Sequence, residues 1–353
     1  MKTALTGIRV MDISVNAPGP FSSMVLADMG AEVVSVVNPL QAKPEYAGAA
    51  DDPMLAGRGG PNDALARGKS RLLLNLKSET DRADLLERVG TADVFISEMR
   101  PGKLEALGLG WDVLKSRNSR LVLCEITGYG RDVPHAARAG HDINYLAFSG
   151  ALSLIRDEHN KPVVPQNLLG DYAAGGTLAV SAILAALLER GRTGQGQHIH
   201  LSITDGIRYL LSDISAATIL GGHSEESWRG SLGGGMPTYD TYSTSDGKWI
   251  AVGALEPKFI AEIGRKLGWV ELSSLMERKE GWPEAKRGLA ERLKSRPLAE
   301  WTELFADSDA CVTPVLSLAE AHPFGLPKMV DVVGQGQGRR RGMIPIHPPI
   351  GAS

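Results

Sequence analysis

The feature that most constrains this chain is the rhythm of its first half, where short apolar runs alternate with segments of helical spacing. "GIRVMDI" at 7–13, "AEVVSVV" at 31–37, "SRLLLNL" at 70–76, "ADVFISE" at 92–98 and "SRLVLCEI" at 119–126 each have strand length and are rich in Val, Ile and Leu. Strands of this kind, separated by helices, predict a parallel sheet with helices on its faces. Between them, "GPFSSMVLADMG" at 19–30 predicts a helix closed by Gly30. "SETDRADLLERVG" at 78–90 opens on Ser78 and carries Asp81 three positions on, a helix-start signal.

A long helix is expected over about Tyr172 to Arg190, ending in the Gly-broken "RGRTGQGQ", and "HIHLSITDGIRYLLSDISAATIL" reads as a strand leading into helix. From Ser231 the character changes. A Gly-rich stretch is followed by strand-like residues around a Ser-Asp-Gly turn, then by helical segments at 257–268 and 282–296. The expected layout is an α/β chain with a large, Rossmann-like domain over 1–200 and linker helices over 201–236. A smaller α+β domain over 237–315 and a segment at 316–353 returning toward the large domain complete it.

Such a sheet does not by itself imply a nucleotide. "DISVNAPGP" stands after the first strand where a Gly-x-Gly-x-x-Gly turn would be, and there is no Gly-Lys-Ser/Thr phosphate loop. A net charge of -3 gives no reason to propose nucleic acid, and the basic "GRRRGM" at 338–343 reads as a solvated tail. The two cysteines, Cys124 and Cys311, lie in apolar surroundings without ligand spacing. Both are expected to be buried, reduced thiols of a cytoplasmic protein. The N-terminus has no apolar signal core, and the longest apolar run, Leu178 to Leu188, is too short for a bilayer, so no membrane association is expected.

Three acid/base candidates stand at breaks between elements, where function tends to sit on loops held by a scaffold. Asp171, ahead of a Gly- and Ala-rich helix, reads either as an N-cap or as a base or nucleophile beside amides able to stabilise an oxyanion. His141, in a Gly turn, reads as structural or as a proton-transfer group. Glu256, before Pro257, reads as a helix-entry acid.

"AGHDINYLAFSGAL", "PQNLLGDYAAGG", "RTGQGQ", "YDTYSTSDGKWIAVGALEPKF" and "DACVTPVLSLAEA", in this order, resemble the α-methylacyl-CoA racemase branch of the family III CoA transferases (CaiB/BaiF-like). The opening "LTGIRVMDIS", "RGKSRLLLNLK" and "RPGKLEALGLG" resemble the wider family, so that the likeness covers about residues 4 to 325. It implies an acyl-CoA substrate, no metal, no redox cofactor, and an interlocked homodimer. It implies that His141 and Asp171 are the two acid/base residues and that Glu256 partners the His across the subunit interface. It also places Leu65, Ala66, Arg67, Lys69 and Arg100 near the CoA phosphates and adenosine, and Asp142 and Tyr145 beside the pantetheine.

Removing the weakly acidic proton α to a thioester needs a positioned base and a stabilised enolate oxygen, and inverting the centre needs a base on each face. A transferase instead uses the Asp as nucleophile, through a mixed anhydride, with no need of a His opposite. The expected function is therefore 2-methylacyl-CoA epimerisation. The rivals are a family III CoA transferase acting through Asp171 and an inactive acyl-CoA-binding homologue. Three departures from the family pattern stand out: Asn38 replaces the usual Arg before Pro, His200 replaces an Asp, and the C-terminal helix is not recognisable. Lys43 or a neighbour is the expected substitute for the lost Arg contact.

Overall fold

The computed structural model describes residues 3–39, 63–224, 226 and 230–321. Lys43, the "GRRRGM" cluster and most of the expected return segment lie outside the described residues. The described residues divide into two compact units, one within Met1–Leu152 and Val164–Ser212, the other within Ser153–Val163 and Asp213–Gly325. The division thus cuts the expected linker between Ser212 and Asp213 and assigns 153–163 to the second unit.

The first unit is built on a parallel sheet. In chain order come β1 (Arg9–Asp12), α1 (Pro18–Asp28), β2 (Glu32–Val37), β3 (Lys69–Leu73), α2 (Glu79–Val89), β4 (Val94–Ser97), α3 (Trp111–Arg117) and β5 (Val122–Thr127). α4 (Asp142–Ser149), a π-helical segment (Leu168–Thr177), α5 (Leu178–Thr193), β6 (His198–Ser202) and α6 (Ile203–Leu210) follow. The strand order is β3-β2-β1-β4-β5-β6, with every pairing parallel. The order reverses between β1 and β4, and the crevice beyond the carboxyl ends of such strands is where open α/β sheets bind ligands.

Alternation along β5 shows why both faces are covered. Val122, Cys124 and Ile126 enter one core with Val25 of α1 and Ile183 of α5. Leu121 and Leu123 enter the other with Leu85 of α2 and Leu114 of α3. The side chains project by a period of two, so a strand between two helical layers is apolar on both faces over most of its length, with Glu125 the buried exception on β5. Ser78 caps α2 as its sequence suggests, accepting the N–H of Asp81 at 3.3 Å. Gly30 follows α1 at φ +99°, and an added Cβ would meet Thr3 Oγ1 at 1.6 Å.

The expected helix at 172–190 is longer than its sequence suggests. It begins at Leu168 as a π-helix and runs to Thr193, long and apolar enough by length and composition to cross a bilayer. In this fold it packs into the first core through Ala174, Ala179, Val180 and Ile183. Gly175 and Gly176 let α1 approach, since a Cβ on them would lie 2.8 Å from Pro18 and 2.5 Å from Phe21.

The second unit holds an antiparallel sheet, β7 (Tyr239–Ser243), β8 (Trp249–Gly253) and β9 (Val312–Pro314), in that order. Helices α7 (Pro257–Leu267), α8 (Trp282–Leu293) and α9 (Leu298–Phe305) cover it with Ile260, Leu289 and Trp301. One expectation is corrected here. Cys124 is buried, but Cys311 is exposed. It stands at the entry to β9 with φ +53°, its carbonyl accepting Gly253 N–H at 2.8 Å, a strand-end turn that turns the thiol outward despite apolar neighbours in sequence.

Candidate active site

α4 begins at the break that follows β5. His141 occupies its N-cap position in extended conformation, and its N–H donates to Asn144 Oδ1 at 3.0 Å. The imidazole is exposed. One turn on, the Tyr145 hydroxyl donates to Gly140 O at 2.5 Å, which clamps the turn holding His141. Burial first, then the negative charge of Asp171, pushes that hydroxyl up to about 12; Glu98 adds to the effect and Arg100 opposes it. Asp171, Glu98 and Arg100 therefore all lie within electrostatic reach of Tyr145.

Asp142 is buried, 5% exposed, and its Oδ1 accepts the N–H of Asp171 at 2.7 Å. The Gly170 amide also bonds this carboxylate, which burial raises above its ordinary pKa despite both bonds. Gly170 is required because a Cβ there would sit 2.4 Å from Asp142 Oδ1. The pantetheine contact expected of Asp142 thus meets a carboxylate already turned inward, onto the segment that carries Asp171.

The N-cap reading of Asp171 is corrected. The cap position of the π-helical segment is Asn167, and Asp171 lies within its first turn. Its Oδ2 accepts from Asn167 Nδ2 at 3.2 Å. Because the Asp171 amide bonds Asp142, it is not free for a substrate oxygen. The sequence contains no cue for a π-helix here, although single π turns concentrate at functional sites.

Sequence reasoning overlooked Glu98. It leaves β4 at the point where the strand order reverses, and its carboxylate accepts N–H groups of Val15 at 3.1 Å, Asn16 at 2.8 Å and Gly19 at 2.6 Å. The chain's own carboxylate thus occupies the amide cradle at the start of α1, the place a dinucleotide pyrophosphate takes in related sheets. Burial outweighs these three bonds and pushes Glu98 up to about 7. The signal for it was an acid at the end of a short strand that is apolar but for Ser97.

The residues expected around CoA divide. Leu65 and Ala66 lie in a short 3-10 turn whose Asp63 accepts Leu65 N–H at 3.0 Å. Arg67 pairs with Asp28 through two hydrogen bonds, at 3.2 and 2.5 Å. The Lys69 side chain is only 2% exposed, its ammonium 3.5 Å from Asp12 and donating to Pro20 O at 2.7 Å and Ser23 Oγ at 2.6 Å. Burial lowers its pKa, with Asp12 opposing. Of the expected basic ligands, Arg100 alone is exposed, with Nη1 3.4 Å from Ala137 O. In the second unit, Glu256 is the exposed residue at the N-cap position of α7, and its side chain caps no amide.

A CoA-transferase family III sequence model matches residues 5–337, and the chain belongs to that family. Within it, the chain is similar to the alpha-methylacyl-CoA racemase of Mus musculus, 41% identical over 319 residues that cover 90% of this chain and 79% of that protein. It is also similar to the succinyl-CoA:glutarate CoA-transferase of Mus musculus, 29% identical over 98% of this chain and 78% of that protein. Among solved structures, a CAIB/BAIF family protein from Brucella suis superposes with a TM-score of 0.75 at 25% identity, covering 92% of this chain and 86% of that one.

Proposed function

We propose that this protein epimerises 2-methylacyl-CoA thioesters. One base removes the proton α to the thioester carbonyl, leaving an enolate, and the group on the opposite face returns a proton to the same carbon. No other bond changes. His141 and Asp171 are the two groups, and which one accepts first depends on the substrate's configuration. Glu256, from the neighbouring subunit of a homodimer, keeps the His141 imidazole oriented. Arg100 and the turn at Leu65 and Ala66 receive the CoA moiety. The reaction runs without metal or redox cofactor, in the cytoplasm, as part of lipid metabolism.

The observation that carries this reading is the bond from Asp171 N–H to Asp142 Oδ1 at 2.7 Å, which ties the segment bearing one acid/base group to the residue beside the other. It is supported by greater identity to a racemase, 41%, than to a transferase, 29%. A transferase would use Asp171 differently, attacking the thioester carbonyl, expelling CoA thiolate and forming a mixed anhydride. The two readings separate in deuterated water with a single epimer of a 2-methylacyl-CoA and no acceptor acid. Epimerisation places deuterium at the α-carbon. Label entering only when a free carboxylic acid is added, or oxygen exchange through an aspartyl anhydride, refutes the proposal.

A further inference from the structure

We propose that Glu125, His198 and His200 form a site for one divalent transition-metal ion of the zinc class, on the opposite side of the sheet from the α1 and α5 layer. In the register of β5 and β6, Leu123 pairs with His198 and Glu125 with His200. These residues share a face with Leu121 and Leu123, whereas Ile199 and Leu201 point into the α1 and α5 core. His-x-His on a strand therefore presents two imidazoles side by side, and their rings lie 3.8 Å apart. Glu125 occupies a position that a leucine would fill, only 3% exposed. A carboxylate buried there is costly unless it is bound by a cation or hydrogen bonds.

One ligand atom from each of the three residues lies within 4.8 Å of the other two. His198 Nε2 is 2.5 Å and His200 Nδ1 is 3.7 Å from Glu125 Oε2. A tetrahedral zinc, about 2.1 Å from each donor, needs donors roughly 3.4 Å apart. Small side-chain rotations reach that geometry. Trp111 stacks on His198, its ring 5.2 Å away, and fixes that imidazole. The cluster opens on a cleft of about 430 Å³ lined also by Glu105 and Arg131, with room for a water in the fourth position.

Arg131 is the competing cation. Its Nη1 lies 3.2 Å from Glu125 Oε2 and 3.4 Å from His200 Nδ1, so the guanidinium now faces the same acceptors. Its Nη2 meets Glu105 at 2.7 Å, and the side chain is 34% exposed. Arg131 can therefore swing onto Glu105 while a metal takes its place. His200 stands where the sequence departs from its family pattern, which accounts for a site the family resemblance does not imply. Its consequence is a clip joining the edge strand β6 to β5.

The test uses the metal-stripped full chain, titrated with ZnCl2 by calorimetry and with CoCl2 by visible absorption. One ion per chain is expected, with cobalt bands of tetrahedral nitrogen and oxygen ligation and a raised Tm in zinc. His198→Gln and His200→Gln are expected to weaken zinc binding more than ~100-fold, beyond what losing an outer-shell partner typically costs. Unchanged far-ultraviolet circular dichroism shows that the variants fold. Absence of stoichiometric binding overturns the proposal, as do histidine variants that bind like the parent. Zinc binding by Arg131→Ala alone overturns it too, because the arginine would then own the site.

Discussion

Asp142→Ala removes the acceptor that joins the start of α4 to the segment carrying Asp171. Its Oδ1 takes the Asp171 N–H at 2.7 Å, and the Gly170 amide bonds the same carboxylate. Both donors stand at the beginning of a helix, where no intrahelical carbonyl can replace the lost partner. Hydrogen bonds to a charged group contribute about 1.5–3 kcal/mol each, so the pair amounts to roughly 3–6 kcal/mol. Relief of a buried charge offsets part of this, and the expected net loss is ~2–4 kcal/mol. A displacement of Asp171 by about 1 Å is expected to lower catalysis by up to ~100-fold.

The control is Asp142→Asn, which keeps the accepting oxygen. Its new amide takes the place of Oδ2, which is buried with no hydrogen-bond partner among the described residues. The neutral oxygen accepts more weakly and the amide lacks an acceptor, while the buried charge is removed, so that variant is expected to lose about 1–2 kcal/mol, less than the Ala variant. Urea titration followed by circular dichroism reads the stability, and α-deuterium incorporation reads the chemistry. An Asp142→Ala protein within about 0.5 kcal/mol of the parent, exchanging deuterium at the parent rate, would refute the positioning role. So would an Asn variant as damaged as the Ala variant.

Gly170→Ala, whose Cβ would meet Asp142 Oδ1 at 2.4 Å, should reproduce the Ala phenotype in the same two assays; parent-like values count against the packing argument. Glu98 has a folded pKa near 7 against an ordinary value of 4.5, so the native state holds more protons than the unfolded chain between those values, and stability falls as pH rises through that window. Glu98→Gln should lack this fall, its advantage over the parent growing by up to ~3 kcal/mol between the two pH values, and parallel stability curves would exclude it. Lys69→Ala leaves Asp12, fully buried, without its cation and should cost about 3–5 kcal/mol; an unchanged Tm with a raised KM would instead assign Lys69 to the substrate's phosphates. Mixing inactive Glu256→Gln and His141→Ala subunits should restore activity, since a mixed dimer holds one site carrying neither change; proven heterodimers that stay inactive would remove the trans role of Glu256.

The sheet was legible from composition over short windows. A strand covered on both faces is mostly apolar, and β1, β2, β4 and β5 carry runs of Val, Ile, Leu, Met or Phe broken only by single polar residues such as Asp12, Ser35, Ser97 and Glu125, so their existence and type follow from local residues. The same holds for Ser78 and Gly30, whose roles depend on neighbours within one helical turn. His141, Asp171 and Glu256 are proposed from their motifs, at or near element ends where side chains need not serve a core.

What the tertiary structure alone decided is which groups face each other. Lys69 and Asp12 lie on different strands and meet under α1; nothing local distinguishes that buried pair from a solvated lysine. Asp142 turns inward onto a segment distant in sequence, where Gly170 and Asp171 each offer an amide and Gly170 has no side chain in the way. Asp171 lies inside a π segment rather than at its cap, and Gly175 and Gly176 of that segment pack against α1, a tertiary contact not visible in the local sequence. Glu98 and the Glu125–His198–His200 cluster likewise depend on strand order and register. Those are set by long-range pairing, and a reading confined to neighbouring residues has no term for them.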